Sequence, residues 1–328
     1  MPAPEEFTTA MHPDIVTVGE CMVEVYQAEG SGALLECSVG GDTLNVAVAA
    51  ARLGATCGFI TRVGDDLFGP LLLGRWSAEG IDLSQTRIVP GFNGVYYITL
   101  APGGERSFTY YRRGSAASTL EPSDLDASYI GSATIAHTSG ITQAISPSAR
   151  AAVRHLAEIA KKYGVKFSFD TNFRPKLWTA AEARAELRWL LSYIDILLPS
   201  AGEEGEALWG TPDPQRIARL CVDAGVGVVA VKSGQEGCWV GSACVGPIHV
   251  PAVTGFRVVD TTGAGDAFDG AFLFALLRGA DIYDAARLAV LVGAISCGGR
   301  GALGSLPNRA TAAAEWIRVY GEPSPGWL

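Results

Sequence analysis

Short apolar runs alternate with segments of helical periodicity through most of this 328-residue chain. The runs have the length of buried strands, and each is followed by a helical pattern. Strands that alternate with helices predict an α/β fold, in which a mostly parallel sheet carries helices on both faces. The strands are expected at 15–18, 57–61, 133–137, 165–169, 194–198 and 226–231. The helices are expected at 43–53, 68–79, 147–163, 180–191, 213–224, 265–277 and 282–297.

Two stretches, 21–39 and 94–113, interrupt this alternation. In the second stretch, the runs 95–100 and 107–112 flank the turn residues Pro102-Gly103-Gly104, a pattern typical of a β-hairpin. We therefore expect an antiparallel lid inserted into the α/β fold. Such a lid would cover the carboxyl ends of the parallel strands, where ligands of these folds usually bind.

The composition excludes several classes of protein. The chain has 25 Lys and Arg against 34 Asp and Glu, a net charge of −9, which argues against nonspecific binding to nucleic acid or to an anionic membrane. With 48% hydrophobic and 18% charged residues, it is expected to fold around a large core. Its seven scattered cysteines form no C-x-x-C pair, so they support neither a disulfide framework nor a zinc site.

The chain shows no sign of membrane insertion or export. No apolar run reaches the ~18 residues of a spanning helix, and the acidic first residues lack the layout of a signal peptide. We therefore expect a cytoplasmic protein. The polar, proline-bearing residues 1–13 are predicted to be a flexible tail, and residues 14–320 a single domain whose lid covers about 21–39 and 94–113.

A glycine-rich turn lies near the carboxyl end of the chain. The string Asp-Thr-Thr-Gly-Ala-Gly-Asp-Ala-Phe at 260–268 directly precedes an apolar helix. The first N–H groups of a helix lack partners and its dipole is positive there, so Gly263 and Gly265 would let a phosphate approach the backbone. Asp266 beside this anion site is placed to take a proton from an attacking hydroxyl. The alternative is that Asp266 only complements the helix dipole.

A second glycine string opens the first long helix. Gly-Gly-Asp-Thr-Leu-Asn-Val-Ala at 40–47 offers paired glycines for a close ligand and an amide at Asn45 for a hydroxyl. Asp42 or Thr43 is expected to cap the helix. The alternative is that this string is a helix start with no ligand.

These two strings, in this order and far apart in the chain, resemble the two signatures of the ribokinase-like (PfkB) carbohydrate kinases. The resemblance implies a three-layer α/β/α domain with a mostly parallel sheet and a small β-sheet lid. It also implies ATP-dependent phosphorylation of a sugar hydroxyl, with Asp266 as general base and the backbone of Gly263, Ala264 and Gly265 as anion hole. The chain contains no G-x-x-x-x-G-K-[ST] phosphate loop.

Further strings at 19–24, 40–45, 110–112, 139–141 and 170–178 resemble the 2-keto-3-deoxygluconate kinases within that family. That substrate carries a carboxylate, which guanidinium groups bind in bidentate fashion. Phe108, Tyr110 and Arg112 share one face of the predicted lid because side chains alternate along a strand. The substrate-binding residues implied by the resemblance are Gly41, Asp42, Asn45, Tyr96, Tyr110, Arg112, Asn172 and Arg174.

Several alternatives stay open for this site. Either arginine can be a solvated surface charge, and Tyr96 can be a packed lid aromatic. A kinase for a neutral sugar such as fructose or ribose is the second interpretation. A sugar- or nucleotide-binding regulator without turnover is a third, of another class.

The resemblance also implies an ATP site and a magnesium site. The ATP residues would be Lys232, Ser233, Gly234, Gly237, Thr262 and Gly265, although Lys-x-Gly after a strand is also common in surface turns. Many family members organise Mg²⁺ through water with an N-x-x-E element, but here Ala201 occupies the Asn position and Glu204 is the expected acid. Mg²⁺ keeps most of its waters, so this departure need not abolish binding. A monovalent cation and a homo-oligomer are compatible with the sequence.

Overall fold

The computed structural model describes residues 12–27, 35–100 and 106–328, and in them strands and helices alternate as expected. The strands are β1 (Ile15–Val18), β2 (Met22–Gln27), β3 (Leu35–Gly40), β4 (Cys57–Ile60), β5 (Arg62–Gly64), β6 (Arg87–Val89), β7 (Gly94–Leu100), β8 (Arg106–Tyr111), β9 (Ile135–Ser139), β10 (Lys166–Asp170), β11 (Ile196–Leu197), β12 (Val228–Lys232), β13 (Cys238–Ser242) and β14 (Ile248–Val250). The α-helices are α1 (Asp42–Leu53), α2 (Gly69–Ala78), α3 (Ala127–Gly131), α4 (Gly140–Ile145), α5 (Pro147–Tyr163), α6 (Ala180–Leu190), α7 (Glu203–Trp209), α8 (Pro214–Asp223), α9 (Ala264–Leu277), α10 (Ile282–Ser296) and α11 (Arg309–Tyr320).

An eight-stranded sheet forms the middle layer, in the order β14-β13-β12-β11-β10-β9-β1-β4. The strands from β12 to β4 are parallel, and β13 and β14 add an antiparallel edge. Side chains of β1 alternate between two cores: Ile15 packs with α1, α2, α9, α10 and α11, whereas Val16 and Val18 pack with α3, α5, α6 and α8. The predicted three-layer α/β/α arrangement with a mostly parallel sheet is confirmed.

The lid is a separate four-stranded sheet in the order β3-β2-β7-β8. Both predicted interruptions contribute to it, each as an antiparallel pair of strands. The expectation of a wholly antiparallel lid is wrong, because the two pairs come from separate stretches of the chain and meet through parallel pairing of β2 with β7. On one face, the ring of Tyr96 lies 6.4 Å from that of Phe108 and 5.7 Å from that of Tyr110. The guanidinium of Arg112 lies 5.6 Å from the centre of the Tyr110 ring, so the shared face predicted from alternation is present. The predicted turn at Pro102-Gly103-Gly104 lies outside the described residues.

Most predicted elements differ from the observed ones by one or two residues at an end. The edge strands β13 and β14 and the helix α11 were not predicted from the sequence. Of the tail predicted over residues 1–13, residues 1–11 lie outside the described part of the chain. None of the helices in the described ranges is long and apolar enough to cross a membrane.

Candidate active site

The predicted site residues converge where β9 and β10 end and where α1 and α9 begin. Ser139 is the last residue of β9 and Asp170 the last of β10, so both lie at the carboxyl edge of the sheet. Helices α1 and α9 pack closely because α9 has Gly270 at the contact, where a Cβ atom would lie 2.6 Å from the backbone oxygen of Val46. This contact brings the two helix starts side by side.

Asp266 lies in the first turn of α9 and is bound to α1. The side-chain amide of Asn45 donates to Oδ2 of Asp266 at 2.7 Å. Burial, with the nearby negative charges of Asp42 and Asp170, raises the pKa of Asp266 to about 7. A carboxyl group with a pKa near neutrality is well suited to proton transfer at physiological pH.

The turn before α9 exposes the backbone of the helix start. Gly263 is the N-cap residue in a left-handed conformation with φ 74°, and no side chain caps the helix. Asp260 holds the turn by accepting hydrogen bonds from the N–H of Thr262 at 2.8 Å and of Gly301 at 2.9 Å. The N–H groups at the start of α9 therefore have the arrangement that binds anions.

Asp42 lies in the first turn of α1, as Asp266 does in α9, but it does not cap the helix. Gly41 is the N-cap and makes no side-chain bond, so the prediction that Asp42 or Thr43 is the cap is wrong. The carboxylate of Asp42 accepts instead from the Ser139 hydroxyl and from the Asn172 amide, the latter at 3.1 Å. Burial raises the pKa of Asp42 despite these donors.

Asn172 places its amide at Asp42 through an unusual backbone conformation. Its φ of 33° is positive, which is uncommon for a residue other than glycine. Its N–H donates to Oδ1 of Asp170 at 3.1 Å, which holds the turn after β10 in place. Strain of this kind persists only where the surroundings hold it, and it is enriched at functional sites.

The lid brings Tyr96, Tyr110 and Arg112 over this edge. Tyr96 is buried with its hydroxyl against Gly40. Arg112 forms an ion pair with Glu20, which lies two residues after the end of β1 and is 1% exposed. Sequence reasoning missed Glu20, although a carboxylate just beyond the end of the first strand was a usable signal.

Arg174 lies at the exposed rim of the site. Its guanidinium donates to the carbonyl oxygen of Phe173 at 3.3 Å. Burial raises the pKa of Tyr110, and the positive charges of Arg112 and Arg174 partly oppose the rise. Both guanidiniums are therefore close enough to act on the same lid tyrosine, but Arg174 forms no ion pair in the described residues.

Lys232 is engaged in the interior next to the anion site. Its ammonium contacts Asp170 and Asp269 at 3.0 Å each. Burial alone would lower the pKa of Lys232, but the two carboxylates outweigh it and raise the pKa. The Nζ atom lies 3.9 Å from the position that a Cβ on Gly265 would take. Lys232 thus brings positive charge near the start of α9, and its carboxylate partners were not predicted.

The other predicted nucleotide residues form the turn between β12 and β13. Ser233 precedes the short helical turn that begins at Gly234, and Gly237 ends that turn. The hydroxyl of Ser233 is buried and has no hydrogen-bond partner. Thr262, in contrast, belongs to the turn before α9, so the predicted nucleotide residues come from two neighbouring loops.

Glu204, the predicted acid for magnesium, is buried in a network of donors. One oxygen accepts from the Thr171 hydroxyl and from the N–H of Ser200 at 2.7 Å, and the other accepts from the N–H of Phe173 at 2.7 Å. A carboxylate offers about four acceptor positions, so one remains for a water. No cluster of three or more His, Cys, Asp or Glu in the described ranges suits a metal ion. The residues therefore fit contact with Mg²⁺ through water.

Comparisons with known proteins agree with this geometry. The model of the pfkB family of carbohydrate kinases matches residues 12–309. The 2-dehydro-3-deoxygluconokinase of Thermoproteus tenax is 36% identical over 305 residues, which cover 90% of this chain and 91% of that protein. Fructokinase-2 of Solanum lycopersicum is 31% identical over 316 residues, which cover 91% of this chain and 94% of that protein. An Escherichia coli protein described as a ribokinase II, solved with ATP and Mg²⁺, has a TM-score of 0.83 and 28% identity, with 93% of this chain and 99% of that one covered.

Proposed function

Because the chain belongs to the pfkB family of carbohydrate kinases, we propose that it transfers the γ-phosphoryl group of ATP to 2-keto-3-deoxygluconate, also named 2-dehydro-3-deoxygluconate, and forms the 6-phosphate. The observation that carries this proposal is the meeting of two helix starts under a lid that holds arginine. Asp266 is bound to Asn45 beside the N–H groups of the first turn of α9, of which that of Ala264 also donates to the carbonyl oxygen of Thr261 at 3.2 Å. Arg112 reaches the same space from the lid. The similarity to the Thermoproteus tenax enzyme supports the choice of sugar.

Asp266 accepts the proton of the attacking sugar hydroxyl in this mechanism. The Asn45 amide holds Oδ2 of Asp266, which leaves Oδ1 to face the hydroxyl. The backbone N–H groups of Gly263, Ala264 and Gly265 stabilise the charge on the phosphoryl group as it moves. Phosphoryl transfer depends mostly on positioning and charge stabilisation, and this arrangement supplies both.

ATP is held by the two loops already described. One side of the nucleotide is lined by Ser233, Gly234 and Gly237, and the other by Thr262 and Gly265. The Lys232 ammonium adds positive charge from the interior. Mg²⁺ that arrives with ATP supplies charge neutralisation on the phosphates. Glu204 would hold the ion through a water at its remaining acceptor position.

The sugar hydroxyls are bound from the α1 side of the site. Gly41 lets the start of α1 pack against the backbone of Glu20, where a Cβ would lie 2.4 Å from its carbonyl oxygen. The carboxylate of Asp42 and the amides of Asn45 and Asn172 bind the sugar hydroxyls. Tyr96 and Tyr110 cover the sugar and exclude water. Exclusion of water strengthens each of these polar contacts.

The sugar carboxylate is bound by Arg112 and Arg174. A neutral sugar would leave neither guanidinium bare, because Arg112 already has Glu20 as partner and Arg174 is exposed. Preference for the acidic sugar therefore rests on guanidinium N–H groups that have no partner in the described residues, among them the buried Nε of Arg112. One charge-assisted hydrogen bond contributes about 1.5–3 kcal/mol, roughly 10- to 100-fold in affinity.

Steady-state assays of ATP consumption test the proposal against its rivals. We expect kcat/KM for 2-keto-3-deoxygluconate to exceed that for fructose by about 10- to 100-fold; 2-keto-3-deoxygalactonate and ribose complete the panel. Equal efficiency on fructose would favour a neutral-sugar kinase, which the similarity to the tomato fructokinase supports as second candidate. Binding of sugar and ATP without turnover would favour a regulator, although Gly263, Gly265 and Asp266 are all present.

A further inference from the structure

The ion pair between Glu20 and Arg112 joins the main sheet to the lid at the sugar site. Glu20 lies between β1 and β2, and Arg112 follows β8. The side chains are 1% and 11% exposed, so the pair is almost dry. Only one oxygen of Glu20 meets the guanidinium: within the described part of the chain, Oε1 of Glu20 and Nε of Arg112 are buried and have no hydrogen-bond partner. Because each side chain keeps an unused polar atom, Arg112 can exchange Glu20 for another anionic partner.

The charges around this pair are unbalanced once an acidic sugar arrives. Glu20 faces Arg112 and Tyr110 from the lid, Asp42 from α1, and Cys21 on its own segment. Arg112 is the cation in contact with Glu20, and the carboxylate of Asp42 also lies near it, whereas Arg174 acts on Tyr110 from the exposed rim. A substrate carboxylate would be a third anion beside the buried guanidinium of Arg112. Like charges in a dry site are strongly unfavourable unless one of them is neutralised.

Building on the proposed substrate, we propose that Glu20 determines specificity for the charge of the sugar. It holds Arg112 while the site is free, and it takes up one proton from solvent when the carboxylate of the sugar replaces it on the guanidinium. The proton converts the Glu20 carboxylate to a neutral carboxyl group, so the guanidinium keeps one anionic partner at a time. A neutral sugar leaves the pair in place and requires no proton.

The environment of Glu20 makes this uptake accessible at ordinary pH. Burial raises the pKa of Glu20 to about 7, even though Arg112 lowers it. Only the protonated fraction of Glu20 admits the acidic sugar, so its dissociation constant is expected to rise about tenfold from pH 6 to pH 8. Binding of fructose is expected to show no such rise.

Equilibrium binding without ATP tests this inference. The dissociation constants of 2-keto-3-deoxygluconate and fructose are measured by calorimetry from pH 6 to pH 8, for the parent and for Glu20→Gln. The amide keeps the shape and an acceptor oxygen for Arg112 but has no charge to titrate. Buffers of different ionisation enthalpy count the protons taken up by the parent at pH 8, so this arm needs no variant. We expect about one proton.

Glu186→Gln is the matched control. Glu186 is also a buried glutamate paired with an arginine, Arg154, at 2.8 Å, but it lies between α5 and α6, away from the site. It should keep the pH dependence of the parent. The inference is supported if Glu20→Gln binds the acidic sugar equally at both pH values and gains affinity at pH 8.

Two results would overturn the inference while leaving the proposed function intact. One is a pH dependence in Glu20→Gln equal to that of the parent, and the other is tight binding of the acid by the parent with no proton uptake. A parent that binds fructose as well as the acid would instead refute the proposed substrate, and this inference with it. A role of Glu20 in stability alone would change the melting temperature of Glu20→Gln and leave the pH profile unchanged.

Discussion

The starts of α1 and α9 share one local design but have different surroundings. Each helix follows a glycine N-cap without a side-chain cap, and each carries an aspartate in its first turn. Asp42 in α1 accepts hydrogen bonds from Ser139 and Asn172, whereas Asp266 in α9 accepts one from Asn45. All three donors meet Oδ2 of their aspartate, so each carboxylate keeps Oδ1, but Asp42 is held by two donors and Asp266 by one. Neighbours distant in sequence, and not the local motif, separate a binding carboxylate from a proton acceptor.

Replacement of Asp266 should give the largest effect. In Asp266→Asn we expect kcat to fall by about 10²–10⁴ while KM values for sugar and ATP change only a few-fold, because the amide keeps the shape but accepts no proton. Steady-state kinetics measure both constants. The matched control is Asp284→Asn, a first-turn aspartate of α10 that pairs with Arg287 outside the site. Retention of more than about a tenth of kcat would exclude Asp266 as the base.

Replacement of Asp42 should affect binding more than turnover. Asp42→Asn removes the negative charge that accepts hydrogen bonds from Ser139 and Asn172. The charge-assisted contacts of this carboxylate with the sugar are lost as well. We expect KM for the sugar to rise about 10- to 100-fold with a smaller change in kcat. If kcat instead fell as far as in Asp266→Asn while KM stayed constant, the two helix starts would not differ as described.

The pH dependence of turnover tests Asp266 and Glu20 without mutation. Asp266 must be ionised to accept a proton, and its pKa is raised to about 7, so kcat/KM on fructose should fall about tenfold per unit below that pH. On the acidic sugar, loss of Glu20 protonation should add a decline above about pH 7, which gives a bell-shaped profile. A flat profile between pH 5 and 7 on either sugar would contradict Asp266 as base.

The raised pKa of Asp266 has a matching effect on stability. The folded state holds this proton up to about pH 7, whereas an aspartate in the unfolded chain releases it near its ordinary pKa of 3.8. The contribution of Asp266 to the free energy of unfolding is therefore complete below its pKa in the unfolded chain. It is lost as the pH rises through its pKa in the folded protein. Asp266→Asn should flatten this part of the stability profile, as measured by denaturant unfolding at several pH values.

The smallest effect is expected for the turn before α9. Gly263→Ala forces a Cβ into a left-handed residue, 2.8 Å from the Cβ of Ala302. We expect a loss of about 1–3 kcal/mol in the free energy of unfolding and a raised KM for ATP. Gly321→Ala is the control, because Gly321 has φ 69° with open space around it. An equal loss in both variants would mean that the contact with Ala302 contributes nothing.

Much of the fold could be predicted because its signals are local. Helix α5 was predicted with its observed bounds, since Ser146 caps it, Pro147 opens it and Gly164 ends it in the left-handed conformation. The edge strand β14 was missed because it has three residues, two of them exposed, and so lacks a periodic pattern. Strand β9 begins two residues later than expected, because the apolar Ala133 precedes it without joining the sheet.

The site could be predicted where its residues belong to glycine motifs and not where partners come from elsewhere. Asn45 and Asp266 were identified from their strings, and the bond between them spans 221 residues. Glu20, Asp170 and Asp269 were missed because each owes its importance to a cation on another element. Such pairings arise only when the strands and helices have packed.

The lid consists of two separate excursions of the chain, and this has a consequence for how substrate range is inherited. The strands β2 and β3 come from one excursion and β7 and β8 from the other, and parallel pairing of β2 with β7 joins them. Glu20 lies just before β2, at the start of the first excursion, and Arg112 directly follows β8, at the end of the second. A recombination that exchanged one excursion between relatives would therefore separate the two charges. If Glu20 and Arg112 set the charge preference as proposed, an exchange that keeps this preference must transfer both excursions together.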